Sequence, residues 1–282
     1  MRSQALAASV VIPAHNEERG LRRLLEQLDV ALPGLEVVVV CNGCTDRTSE
    51  TARSFGPNVT VVDLPDPSKA AALKEGDRVA SAFPRLYVDA DVEIDRTSVD
   101  LLVSALESGT TLAAGPRRIL PRAGVGLVVR WYYDVWEQLP QVRAGLFGRG
   151  VIAVTAEGFQ RVQNLPQLMS DDLVISEAFA PAERTIVDAA TVTVWPPRTV
   201  RALLRRRTRV ATGNVEAEAA QQRTREAKTT VLSLIDLCRT QPRITARMPV
   251  FLAVTVVARL AARRNVGKQD FTTWLRDDTS RM

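Results

Sequence analysis

Two aspartates separated by one small residue, Asp89 and Asp91, close an apolar run in Arg85-Leu86-Tyr87-Val88-Asp89-Ala90-Asp91. Such a run reads as a buried parallel strand. Period-two alternation at its end sends both carboxylates to one side while Ala90 points away. Two hard oxygen ligands placed this way suit Mg2+ or Mn2+ beside a phosphate, in the crevice where open α/β sheets bind ligands. Taken alone, an Asp-x-Asp also describes two solvated loop aspartates, so the surrounding elements decide. A second acidic pair, Asp171 and Asp172, follows Ser170; there a helix cap with acids in the first turn is a sufficient structural account.

The elements that would position these residues alternate. Residues 7–13 form a short apolar strand that stops at Pro13-Ala14-His15-Asn16-Glu17-Glu18, and Leu21, Leu24, Leu25 and Leu28 then recur at helical spacing. Residues 35–40 make a second strand, which ends in the turn chemistry of Cys41-Asn42-Gly43-Cys44-Thr45-Asp46. A third strand at 59–63, an Ala-rich helix at 68–82 and the strand at 85–88 complete a βα series that specifies a parallel, doubly wound sheet. Beyond it, residues 97–107 read as a helix capped by Thr97, and 110–115 and 151–155 as strands. Arg117, Arg118 and Arg122 fall in a Pro-bounded loop, and 183–195 reads as two short β segments around Val187-Asp188. Trp131, Tyr132, Tyr133 and Trp136 recur at helical spacing; such rings could line an acceptor-sugar or lipid site, but a helix packed on the core explains them equally well and is the favoured account.

The composition narrows the class. A chain of 282 residues, 46% hydrophobic and 24% charged, buries a large core and is not disordered. Three cysteines cannot all pair and no signal peptide precedes the first strand, which favours a reducing, cytoplasmic setting. Cys41 and Cys44 lack the second pair or histidines that zinc needs, with one His in the chain. The net charge of +5 is concentrated at 201–209 and 259–264, which suits nucleotide phosphates or an anionic lipid surface. No zinc-finger or RNP-like motif accompanies it, so nucleic acid is not the expected partner. Residues 248–258 are apolar but too short to span a bilayer; closed by arginines, they fit peripheral contact with the inner face of a membrane.

No Gly-x-Gly-x-x-Gly or Walker-type Gly-Lys-Ser/Thr follows any strand. Val10-Val11-Ile12-Pro13-Ala14-His15-Asn16-Glu17-Glu18, Asn42-Gly43-Cys44-Thr45-Asp46-Arg47-Thr48 and Lys69-Ala70-Ala71-Ala72-Leu73-Lys74-Glu75-Gly76 instead resemble, in order, the opening segments of the family 2 inverting glycosyltransferases. Lys74 stands where Asn is common. The resemblance covers roughly residues 7–215 and implies a GT-A (Rossmann-like) α/β fold, a mainly parallel sheet flanked by helices, with a helical appendage at 216–282. It implies a nucleotide-diphospho-sugar donor, foremost a UDP-sugar, bound by Pro13, Ala14, His15, Asn16, Glu17, Asn42, Lys69, Asp89, Ala90 and Asp91. A divalent cation, Mg2+ or Mn2+, would sit at Asp91 and Asp89. Read without the family, Glu17 is a helix first-turn acid, Asn42 an Asx turn and His15 a loop residue.

Inverting transfer needs a carboxylate to take the proton from the acceptor hydroxyl, and by resemblance Asp172 is that base, with Asp171 its usual acidic neighbour. Residues 205–214 resemble the family's Gln-x-x-Arg-Trp segment, with Arg206 at the Gln, Arg209 at the Arg and Val210 in place of Trp. Asp171, Arg206 and Arg209 would therefore face the diphosphate or the acceptor, while Arg201, Arg205 and Arg207 read as a solvated basic face. The missing Trp favours transfer of a single sugar over processive synthesis, to an acceptor that is lipid-linked or a small molecule. Two rivals remain: a nucleotidyltransferase, which lacks its Gly-rich Arg-Lys loop here, and a non-catalytic membrane-surface protein, which would not need Asp89, Asp91 and Asp172. The end, 277–282, reads as frayed.

Overall fold

The computed structural model describes residues 8–109, 111–166, 168–224 and 228–267; the end expected to fray, 277–282, lies outside them. β1 (Ala8–Ala14) leads into α1 (Glu18–Gln27), β2 (Leu35–Asn42) into α2 (Thr48–Arg53), and β3 (Val59–Leu64) into α3 (Lys69–Val79), before β4 (Arg85–Val88). These strands pair parallel in the order β3-β2-β1-β4. Every residue of β1 is buried, as a strand covered on both faces must be. The Leu21, Leu24 and Leu25 face of α1 packs beneath it in the same core.

The second half is mixed. β5 (Val92–Glu93), α4 (Arg96–Ser108), β6 (Ala113–Ile119), α5 (Leu127–Trp136), α6 (Pro140–Ala144), β7 (Val151–Val154), α7 (Ala156–Val162), α8 (Asp171–Glu177) and β8 (Arg184–Val194) follow in chain order. The sheet continues β4-β7-β6-β8-β5. β7 runs antiparallel to both β4 and β6, β8 parallel to β6, and β5 antiparallel to β8. The parallel expectation thus holds for the first four strands and gives way at β7. That strand starts where β4 stops, the Asp89 N–H donating to Gly150 O at 2.8 Å, so the chain can only run back along its neighbour.

Three local expectations change. Asp95, not Thr97, caps α4, its side chain accepting from Ser98 N at 2.8 Å. The two β segments at 183–195 are one strand whose register jumps, Pro116 facing Val187 and Arg117 facing Thr191. Arg117 and Arg118 lie on β6 and not in a loop. Pro116 suggested a strand end, but a proline without an N–H is tolerated where the ladder is already broken, and β6 continues past it.

α9 (Val200–Ala219), α10 (Val231–Thr240), α11 (Pro242–Thr245) and α12 (Met248–Gly267) complete the described chain. α12 packs along α9 and α5, and Leu237, Ile244, Met248, Phe251 and Val254 join the same core as β1 and β4. Tyr132 stacks on Phe251 with ring centroids 5.3 Å apart.

Candidate active site

Above the ends of β1, β2 and β4 opens a cavity of about 1450 Å³, which reaches from the turn after β1 to α9 and α12. Its floor is the β4 terminus. Ala90 is buried, Asp89 is half-buried, and Asp91 is exposed to the cavity, the alternation a strand end imposes.

The β1 and β2 turns interlock through side chains. Asn42 is buried, its amide donating to Ala14 O at 2.9 Å and accepting from Ser68 N at 3.1 Å. His15 Nδ1 donates to Asn42 O at 2.6 Å, since a carbonyl can only accept. Asn16, in the left-handed region at φ 53°, accepts from Thr45 N at 2.7 Å. The Glu17 N–H donates to Thr48 Oγ1 at 2.8 Å. Pro13, His15, Glu17 and Asn42 all line the cavity, whereas Ala14 and Asn16 hold its wall together.

Lys69, the first residue of α3 beyond its Ser68 cap, lies between two acids. Its Nζ is 2.7 Å from Asp89 Oδ1 and 2.9 Å from Asp171 Oδ2. Burial works against its charge, but Asp171 and Asp89 outweigh it and hold the lysine above its usual range. Burial pushes the Asp171 carboxyl up, with Lys69 opposing and Asp172 adding to it.

Asp172 is gripped from the other side. Its Oδ2 accepts from Gly148 N at 2.7 Å and its Oδ1 from Leu173 N at 2.8 Å. The Gly148 loop owes its shape to a residue that carried no sequence signal, Arg149. That side chain is buried and donates to Gly145 O, Pro116 O, Val142 O and Arg143 O at 3.0 to 3.3 Å. Burial pushes its pKa down to about 10. Gly150, at φ +67°, has no alternative: a Cβ there would stand 2.4 Å from Val92 Cγ1 and 3.3 Å from Asp89 Oδ2.

The basic helix α9 closes the cavity over these acids. Gly213 lets it approach α8, since a Cβ would lie 2.1 Å from Ser170 Oγ. Burial and the neighbouring Arg206 lower the Arg209 pKa, while Asp91, Asp89 and Asp172 pull the other way, so one guanidinium senses all three acids. Arg206 Nη1 donates to Trp195 O at 3.2 Å. Arg201 and Arg205 are exposed, as a solvated face requires, but Arg207 turns inward with its guanidinium 5.5 Å from the Tyr132 ring centroid.

The acidic strand end beneath a sheet of this order defines a GT-A fold. Residues 9–147 match the family described as Glycosyl transferase family 2. A dolichol-phosphate mannosyltransferase of Pyrococcus furiosus is 30% identical over 119 residues, covering 40% of this chain and 34% of that protein. A 4,4'-diaponeurosporenoate glycosyltransferase of Staphylococcus aureus is 33% identical over 105 residues, 35% of this chain and 28% of that one. The matched stretch thus spans about a third of the length of these curated relatives. Among solved structures, a mannosyltransferase from Pyrobaculum calidifontis in complex with GDP-Man and Mn2+ superposes with a TM-score of 0.63 at 20% identity, covering 94% of this chain and 76% of that chain. Mannosyl-3-phosphoglycerate synthase from Rubrobacter xylanophilus gives 0.57 at 18%, covering 80% and 77%. Both are likenesses of fold.

Proposed function

We propose that this protein moves one sugar from a nucleotide-diphospho-sugar to an acceptor hydroxyl, inverting the anomeric centre in a single displacement. The observation that carries the reading is the convergence of Asp89, Asp91 and Asp172 on one cavity beside Arg209. Glycosyltransferase relatives over the N-terminal segment, and a neighbour of the same fold that binds GDP-Man, agree with it.

The residues fit a divalent cation. Among the described residues no group of three metal-type ligands forms, but Mg2+ and Mn2+ are commonly held by one or two carboxylates completed by substrate phosphates. Asp91, and Asp89 with Gly150 leaving room at its Oδ2, would hold the ion; when bound, it supplies charge stabilisation to the departing diphosphate. The chain's own residues do the rest. Arg209 and Lys69 add positive charge where the diphosphate leaves. Asp172, oriented by Gly148, accepts the acceptor's proton. Pro13, Glu17 and Asn42 shape the nucleoside end, and Val210 in place of an aromatic residue fits transfer of one sugar. Screening UDP-, GDP- and dTDP-sugars with Mn2+ by mass spectrometry tests the reading. Hydrolysis or transfer above background is expected; binding and turnover of none would overturn it.

The partner surface is the C-terminal helices. α12 buries Phe251, Val254, Ala258 and Ala262 and exposes Leu252, Val256, Val257 and Leu260 on its other side, while α10 exposes Val231 and Leu232 at 72% and 78%. Arg239, Arg243, Arg259, Arg263 and Arg264 are exposed beside them. No helix among the described residues is long and apolar enough to cross a membrane. An apolar face edged by arginines matches peripheral contact with an anionic bilayer.

A further inference from the structure

The cavity has a second end, away from the nucleoside turns, where β6, α5 and α9 meet. Arg118, Tyr132, Trp136, Arg206 and Arg207 line it. The Arg118 guanidinium sits 4.3 Å from the Trp136 ring centroid and donates through Nη1 to Gly148 O at 3.0 Å, yet its buried Nε has no acceptor. Arg207 lies 5.5 Å from the Tyr132 ring and 5.7 Å from that of Trp136. Among the described residues neither arginine forms an ion pair. The carboxylate that acts on Arg118, Glu137, is itself engaged by Arg122 at 2.5 Å. Arg209 has its acids; these two cations do not. Burial pushes the Arg118 pKa down to about 9, with Arg149 and Arg206 contributing, the behaviour of a cation whose counter-ion must come from elsewhere.

We propose that Arg118 and Arg207, set against Trp136, form an oxyanion subsite that holds a phosphate or carboxylate of the acceptor. The inference rests on the transferase reading and deepens it. A guanidinium presents planar paired donors that match such a group, and the aromatic walls accept the carbon skeleton beside it. Position ties the subsite to the chemistry: Gly148 accepts from Arg118 through its carbonyl and donates to Asp172 through its N–H. The anion and the attacking hydroxyl are thereby placed on two sides of one residue. The acceptor is therefore an anionic hydroxy compound, with the charge near the hydroxyl.

The test is a calorimetric titration of inorganic phosphate into the full chain, first alone and then with UDP and Mg2+ saturating the donor end. Saturable phosphate binding is expected to survive UDP and to weaken about tenfold or more in Arg118→Ala, less in Arg118→Lys, which keeps the charge but not the fork. UDP affinity should be unchanged in both, which also shows that they fold. Should Arg118→Ala not fold, Arg207→Gln is expected to weaken phosphate several-fold. Equal phosphate affinity in the wild type and in the folded variants overturns the subsite. Absence of binding of UDP, GDP and dTDP alike sinks the transferase reading separately, while Arg118-dependent phosphate binding would still support the anion site. Displacement of phosphate by glycerol 3-phosphate identifies a soluble acceptor, and displacement only by phosphatidylglycerol in detergent, an anionic lipid with free hydroxyls, a lipid one. Displacement by neither overturns the acceptor assignment.

Discussion

The Gly148 N–H donates to Asp172 Oδ2 at 2.7 Å, while Asp171, one residue earlier in the same helical turn, is paired with Lys69 at 2.9 Å. Neighbours in a helix diverge by roughly 100°, so the two acids are held by different parts of the molecule. Asp171 is tied towards α3 and the β4 end. Asp172 is oriented by a backbone amide and keeps lone pairs for a proton.

Asp172→Asn preserves shape but cannot accept that proton. Turnover is expected to fall ~10²-fold or more, the scale of a general base, with nucleotide affinity retained; Asp171→Asn should cost less. Single-turnover kinetics with a saturating donor checks this. Near-normal chemistry in Asp172→Asn would move the base to Asp171.

Asp91→Ala should lose affinity for UDP in Mn2+ while remaining folded, because it removes a hard oxygen ligand from the strand end. Calorimetry with and without chelator reads the difference. Undiminished wild-type binding without any divalent cation would reject the metal-dependent reading.

Lys69→Met leaves Asp89 and Asp171 without their shared cation. The three side chains are 27% to 37% exposed, between the surface and buried cases, so about 1–3 kcal/mol of stability should be lost. With the ammonium gone, Mn2+ alone should bind more tightly. Urea unfolding and electron paramagnetic resonance measure the two effects; no change in either would mean that the bridge has no role.

Gly213→Ala places a methyl 2.1 Å from Ser170 Oγ, which forces α9 or α8 to shift. A loss of ~1–3 kcal/mol is expected, the usual cost of overpacking, with turnover reduced as Arg209 moves from Asp172. Wild-type stability together with wild-type turnover would show that the approach is not needed.

The exposed face of α12 should bind anionic vesicles, and Val256→Asp with Leu260→Asp should abolish flotation while leaving UDP binding intact. Equal flotation with neutral and anionic vesicles, or none at all, would reject the membrane contact.

Local chemistry determined much of this protein. The apolar runs at 7–13, 35–40 and 85–88 read as buried strands, the leucines of α1 as a helix, and Asp89 and Asp91 fall at a strand end because apolar residues precede them. The start of α8 after Ser170 was legible from a small polar residue ahead of two acids, although the Ser170 side chain makes no capping hydrogen bond. What only the tertiary structure decided concerns partners far apart in the chain. The antiparallel run of β7 depends on which strand end Gly150 meets, a choice that period-two patterning does not encode. Arg118 on β6 and Arg207 on α9 look like loop and surface charges until α5 brings Trp136 to them. Lys69, Asp89 and Asp171 become one ion-paired group only when α3, β4 and α8 converge. Burial periodicity is a property of neighbouring residues, whereas the counter-ion of a charge is set by distance through space.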